Sequence, residues 1–78
     1  MHYNTFAVVK SDILIKFGNR IRELRNEKEW SQETLADKTG FHRTYIGMIE
    51  RGERNLSLKN VEVFASSFGL SISELLKF

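Results

Sequence analysis

The 78-residue chain predicts an all-α domain built from five short helices. Three observations carry that expectation. Proline is absent from the whole sequence. Apolar residues recur at three- and four-residue steps and do not alternate with polar ones. Serines precede the apolar runs and glycines follow them, the order in which helices are capped and then stopped.

The first helix opens after Ser11, an N-cap residue, with Asp12 in the first turn, where the helix dipole favours an anion. Leu14, Phe17, Ile21 and Leu24 form its apolar face, and Arg20, Arg22, Glu23, Asn26, Glu27 and Lys28 fill the other, so the helix runs to about Lys28. Trp30 then stands where a hydrophobic staple packs, directly before Ser31, the N-cap of a short second helix. Leu35 and Ala36 face inward there, and Asp37-Lys38-Thr39 lead to Gly40. Gly40 suits the left-handed position that ends a helix without Cβ strain. Phe41 turns back to the core, and His42 or Arg43 opens a third helix through Tyr45, Ile46, Ile49 and Glu50, ended by Gly52.

The loop Gly52-Glu53-Arg54-Asn55-Leu56 leads to Ser57, which caps a fourth helix expected to bury Leu58, Val61, Phe64 and Ala65 and to stop at Gly69. Ser71-Ile72-Ser73-Glu74 is a capping-box pattern for a last short helix, Leu75-Leu76-Lys77-Phe78. Residues 1–10 form an N-terminal extension; its Phe6-Ala7-Val8-Val9 fits a longer first helix, a short strand or a frayed end. Residues 11–78 make one domain.

A chain this short buries only about 60% of the surface its unfolded form exposes, and such scaffolds need a staple. With no cysteine, disulfides, thiolate metal sites and a cysteine nucleophile are excluded, and two histidines alone make no zinc site. Oligomerisation is the staple that remains. No apolar run approaches the roughly 18 residues of a membrane span, and the N-terminus is a poor signal peptide. A cytoplasmic protein without metal, cofactor or small-molecule ligand is expected. No nucleophile–base or paired-carboxylate arrangement points to an enzyme.

The net charge of +2 is mild, but its distribution is uneven. Residues 10–30 hold six Lys/Arg against four Asp/Glu and residues 41–59 four against two, whereas residues 60–78 hold one against two. A nucleic-acid surface followed by an association surface has this pattern, as does an ordinary solvated face. The apolar cluster Phe68, Leu70, Ile72, Leu75, Leu76 and Phe78 exceeds what one small core needs. Part of it is available to close the monomer core, and Ile72, Leu75, Leu76 and Phe78 are candidates for a two-fold interface.

Residues 32–51 are the informative unit. Two short helices flank a glycine-bearing turn, with Leu35, Ala36, Phe41, Ile46 and Ile49 facing inward. Ala36 supplies the small side chain that steeply crossing helices need. This describes a helix-turn-helix. Its outward face is read as Gln32, Arg43, Thr44, Tyr45 and Gly47. Arginine suits guanine, threonine a thymine methyl or a phosphate, and glutamine and tyrosine the backbone.

The pattern Gln32-xx-Leu35-Ala36-xxx-Gly40-Phe41-xxxx-Ile46-xx-Ile49-Glu50-Arg51-Gly52 resembles the Cro/C1-type (XRE) helix-turn-helix family. His42-Arg43-Thr44-Tyr45-Ile46 and Ile49 through Leu58 more specifically resemble the controller (C) proteins of restriction–modification systems. The resemblance implies a lambda-repressor-like DNA-binding domain. It also implies a homodimer whose third helices enter adjacent major grooves of double-stranded DNA, with half-sites about 34–36 Å apart. By motif position Arg43 and Thr44 contact bases, while Gln32, His42, Tyr45, Arg54 and Asn55 contact the backbone. Arg25 and Glu50 occupy the family's ion pair between the first and third helices. Regulators of this kind recruit or exclude RNA polymerase at their own promoter. A phage-type repressor or an antitoxin-like autorepressor is the alternative within the class, and a protein-interaction module with an idle helix-turn-helix is the alternative outside it. Two residues depart from the usual pattern. His42 stands where Ser, Asp or Asn caps better. Gly47 costs its helix about 1 kcal/mol relative to alanine.

Overall fold

The computed structural model describes residues 12–78, so Ser11 and the extension at residues 1–10 lie outside the described residues. Five helices are present among them: α1 (Asp12–Glu27), α2 (Gln32–Thr39), α3 (Arg43–Glu50), α4 (Leu58–Ser67) and α5 (Ile72–Leu75). The starts of α2 to α5 follow local chemistry. Ser31 and Ser57 accept from the amides of Thr34 and Asn60 at 3.0 and 3.1 Å. At α5, Ser71 Oγ accepts from the Glu74 amide at 3.1 Å, and the Ser71 amide donates to Glu74 Oε1 at 2.8 Å. This closes the capping box, and the Ser71 amide holds the Glu74 carboxyl below its ordinary value. His42 is a working cap, because its Nδ1 accepts from the Thr44 amide at 3.1 Å.

Helix ends follow from glycines. Gly40 adopts a left-handed φ of 79° and returns its amide to the Ala36 carbonyl at 2.8 Å. Gly52, at φ 72°, is doubly constrained, since an added Cβ would lie 3.1 Å from the Ile15 Cα. The helix after Ser71 is shorter than the sequence suggests: it ends at Leu75.

The core gathers Phe17, Ile21 and Leu24 of α1, Leu35 and Ala36 of α2, Ile46 and Ile49 of α3, Val61, Phe64 and Ala65 of α4, then Phe68 and Leu75. Phe64 lies at its centre, edge-on to Phe17 at 6.0 Å and 5.2 Å from Phe41. Trp30 stacks on Phe68 at 5.6 Å, which pins the turn between α1 and α2 to the end of α4.

Four expectations are corrected. Leu58 is not core: it is 79% exposed, because the first residue of α4 projects beyond the contact between α4 and the rest of the core. Leu75 has no exposed surface, so it completes the monomer core and is not an interface residue. Ile72 is partly buried against the same core, whereas Leu76 and Phe78 remain 40% and 50% exposed. Arg20 and Arg22 do not simply fill a solvated face. Arg20 Nε and Nη2 donate to the carbonyls of Leu75 and Glu74, both at 2.9 Å, and satisfy the open end of α5. Arg22 Nη2 donates to the Glu50 carbonyl at the end of α3, also at 2.9 Å.

Candidate nucleic-acid interface

The α2–turn–α3 unit rests on α1 through one buried acid. Glu50 is 2% exposed, and it receives two parallel bonds from Arg25: Nε to Oε2 at 2.7 Å and Nη2 to Oε1 at 3.0 Å. Arg22 Nε stands 3.6 Å from Oε1, and Gln32 Nε2 donates to the same oxygen at 3.1 Å. Arg25 also donates to the Trp30 carbonyl at 2.9 Å. The Glu50 bond raises the Arg25 pKa above its ordinary value, so the guanidinium stays charged. Burying a charge is tolerable only when it is paired and hydrogen-bonded this fully. The network ties the end of α3 to the C-terminal turns of α1 and the start of α2. It therefore sets how α3 is presented.

A second lock is steric. Gly18 lies where α1 crosses the end of α3. A Cβ built on it would overlap the Ile49 carbonyl oxygen and stand 2.7 Å from that of Glu50. Sequence reasoning passed over Gly18, although a glycine inside an apolar helical pattern signals close backbone approach.

With the inner face of α3 so occupied, its first turn is left outside. His42, Arg43 and Thr44 are all exposed. Arg43 Nε lies 3.2 Å from Glu33 Oε2, on the first turn of α2. Tyr45 is only half exposed to this face. Its ring packs edge-on against Phe41 at 4.9 Å, its hydroxyl accepts from Asn60 Nδ2 at 3.1 Å, and the Arg54 guanidinium lies over it at 5.4 Å. Arg54 is thus placed by Tyr45, whereas Glu53 pairs with Arg51 at 3.1 Å. Asn55 Oδ1 accepts from the Leu56 amide at 2.9 Å and shapes the loop.

Gln32 lies at the start of α2 with its amide nitrogen committed to Glu50. Gly47 is a further correction. It belongs to the buried side of α3, and its missing side chain leaves room for Arg51, whose Nη1 would be 3.1 Å from an added Cβ. Glu33 escaped the sequence reading because its partner, Arg43, is set by the packing of α2 against α3 and not by spacing. Of the exposed arginines at this end, Arg43 and Arg51 are paired with Glu33 and Glu53, and Arg54 lies over the Tyr45 ring. No helix among the described residues is long and apolar enough to cross a membrane.

Two short helices crossing over a glycine turn, the second buried on one side and presenting Arg43 and Thr44 on the other, define a helix-turn-helix protein. The helix-turn-helix family model matches residues 21–75. Control protein C.MunI of a Mycoplasma species is 46% identical over 66 residues, spanning 83% of this chain and 89% of that protein. The crystal structure of restriction–modification controller protein C.AhdI from Aeromonas hydrophila superposes with a TM-score of 0.76 at 50% identity, covering 80% of this chain and 94% of that one. Controller protein C.Esp1396I, solved as a tetramer in complex with its natural 35 base-pair operator, superposes at 0.76 and 39% identity over 85% of this chain and 91% of that one. The chain belongs to the helix-turn-helix family of DNA-binding transcriptional regulators, within it to the control proteins of restriction–modification systems, and is not an enzyme.

Proposed function

We propose that the protein acts as a homodimer on a pseudo-palindromic operator and controls the timing of a restriction–modification system in the cytoplasm. The observation that carries this reading is the locked presentation of α3. Glu50 and Gly18 hold its inner side against α1, and Arg43 and Thr44 stand clear on its outer side. Rigid presentation matters because a base contact must be held within a few tenths of an ångström to discriminate.

In this reading Arg43 donates two bonds to O6 and N7 of a guanine, and Thr44 meets a neighbouring base. His42, Gln32, Tyr45, Arg54 and Asn55 serve the sugar–phosphate backbone. His42 Nδ1 is spent on the cap, so its Nε2 is the atom free to donate to a phosphate. Tyr45 and Arg54 act as a pair, because the ring orients the guanidinium. Gln32 acts through the position of α2, whose first amides face outward and favour an anion. Leu76 and Phe78, exposed beside each other at the C-terminus, are the apolar residues offered to a second copy. A dimer joined there presents two α3 helices to half-sites one helical turn apart, about 34–36 Å. Bound dimers then recruit or exclude RNA polymerase.

Selection of duplexes from a random library, followed by anisotropy measured across salt, tests the proposal. A two-fold consensus is expected, with an affinity that falls steeply as salt rises because phosphate contacts release counterions. Arg43→Ala is expected to cost about 1–3 kcal/mol and to relax preference at one base position. A flat salt response, or selected duplexes without a consensus, overturns the reading in favour of a protein-interaction module.

A further inference from the structure

Two exposed acidic side chains, Glu33 and Glu53, stand in the surface that the proposed function turns towards a polyanion, and Glu33 is the one paired with the proposed base reader. Glu33 is exposed on the first turn of α2, and its Oε2 lies 3.2 Å from Arg43 Nε. Arg43 is the described partner of Glu33; α2 is already capped by Ser31, and the Glu33 charge also suits the first turn of the helix. Both members of the pair are well exposed, at 56% for Arg43 and 70% for Glu33. Such a pair is weak and opens readily.

We propose that Glu33 is a specificity-determining residue, which keeps the Arg43 guanidinium off the phosphate backbone until a guanine edge replaces it. This rests on the reading of Arg43 as the base contact. On a duplex without the right base, Arg43 gains nothing by leaving Glu33 except a phosphate contact. The retained pair is close to neutral, so the non-specific complex loses one cation's worth of counterion release. On the operator, O6 and N7 of guanine offer two aligned acceptors, and the guanidinium exchanges one weak partner for a bidentate one. The carboxylate opposes binding to every sequence, yet it removes more from the non-specific complex, because a single arginine–phosphate contact is comparable with the exposed ion pair it displaces, whereas the bidentate guanine contact exceeds both. Glu33 is a positioning residue and touches no base itself.

The test uses the full chain, an operator duplex, a scrambled duplex of equal length, and anisotropy across salt. Glu33→Gln is expected to raise affinity for the scrambled duplex about threefold more than for the operator, the size of an exposed ion pair. The salt slope on the scrambled duplex should steepen by about 0.9 for the one regained phosphate contact. Glu33→Asp, which keeps the charge, should restore part of the discrimination. In the Arg43→Ala background the steepening should vanish, and unchanged thermal melting would show that the effect is not one of folding. Equal gains on both duplexes, or an unchanged salt slope, overturn the proposal. If Arg43→Ala leaves base preference intact, the base-reader assignment fails with it. If Arg43→Ala relaxes the preference while Glu33→Gln changes neither ratio nor slope, only the role of Glu33 is lost.

Discussion

Replacing two glycines by alanine, one in α1 and one in α3, should shift stability in opposite directions. Both are helical, so alanine gains about 1 kcal/mol at each from backbone entropy alone. At Gly18 the added methyl would overlap the Ile49 carbonyl oxygen and sit 2.7 Å from the Glu50 oxygen and 2.9 Å from the Glu50 carbonyl carbon. These are backbone atoms at the end of a helix and cannot rotate away. The two helices must part instead, which loosens the grip of Arg22 and Arg25 on Glu50. Overpacking of this kind costs about 3 kcal/mol, so the net loss for Gly18→Ala is about 2 kcal/mol. At Gly47 the atom met at 3.1 Å is Nη1 of Arg51, the far end of an exposed and flexible side chain. Gly47→Ala should therefore gain up to about 1 kcal/mol. The two variants differ by about 3 kcal/mol, or more than about 10 °C in melting midpoint for a domain of this size. Urea denaturation at a fixed protomer concentration measures both, the concentration being held because the proposed dimer would add to apparent stability. A Gly18→Ala protein as stable as its parent would show that α1 and the end of α3 are not in backbone contact.

Three further outcomes are expected. Arg25→Met keeps an apolar stem but leaves the Glu50 carboxylate buried with only Arg22 at 3.6 Å and the Gln32 amide, so stability should fall by about 3 kcal/mol in urea; a loss below about 1 kcal/mol would mean that the pair is not what holds α3. Leu75→Ala should cost about 2–5 kcal/mol because Leu75 is fully buried, whereas Leu76→Glu should leave the monomer folded and shift sedimentation to the monomer; unchanged sedimentation of Leu76→Glu rules Leu76 out of the interface. Glu74 is held below its ordinary carboxyl value by the Ser71 amide, so its cap contributes in full above the unfolded value and is lost as pH falls through the lower folded one. An NMR titration of Glu74 with a midpoint at or above the usual glutamate value, about 4.3, would contradict the closed capping box.

The helices, their caps and their stops were legible in the sequence because each is decided within four residues along the chain. Ser31, Ser57 and Ser71 cap amides three positions ahead, and Gly40 closes back on Ala36 four behind. The helix-turn-helix was legible for the same reason, since apolar spacing alone separates the inner side of α2 and α3 from the outer. Spacing failed at Gly47, Leu58 and Leu75. A residue at the edge of an apolar stripe, or at a helix end, is buried or bare according to which neighbour crosses it. The long-range pairs were invisible on the same ground. Arg43 with Glu33, Tyr45 with Asn60, Arg20 with the end of α5 and Gly18 with the end of α3 join residues 10 to 55 positions apart. Amino-acid order by itself determined which segments coil and which side of each is oily. Only the tertiary structure decided how the helices cross, and with that which arginines are spent on buried carbonyls and carboxylates and which stay exposed, because crossing angles arise from the packing of whole side chains and are written in no local pattern.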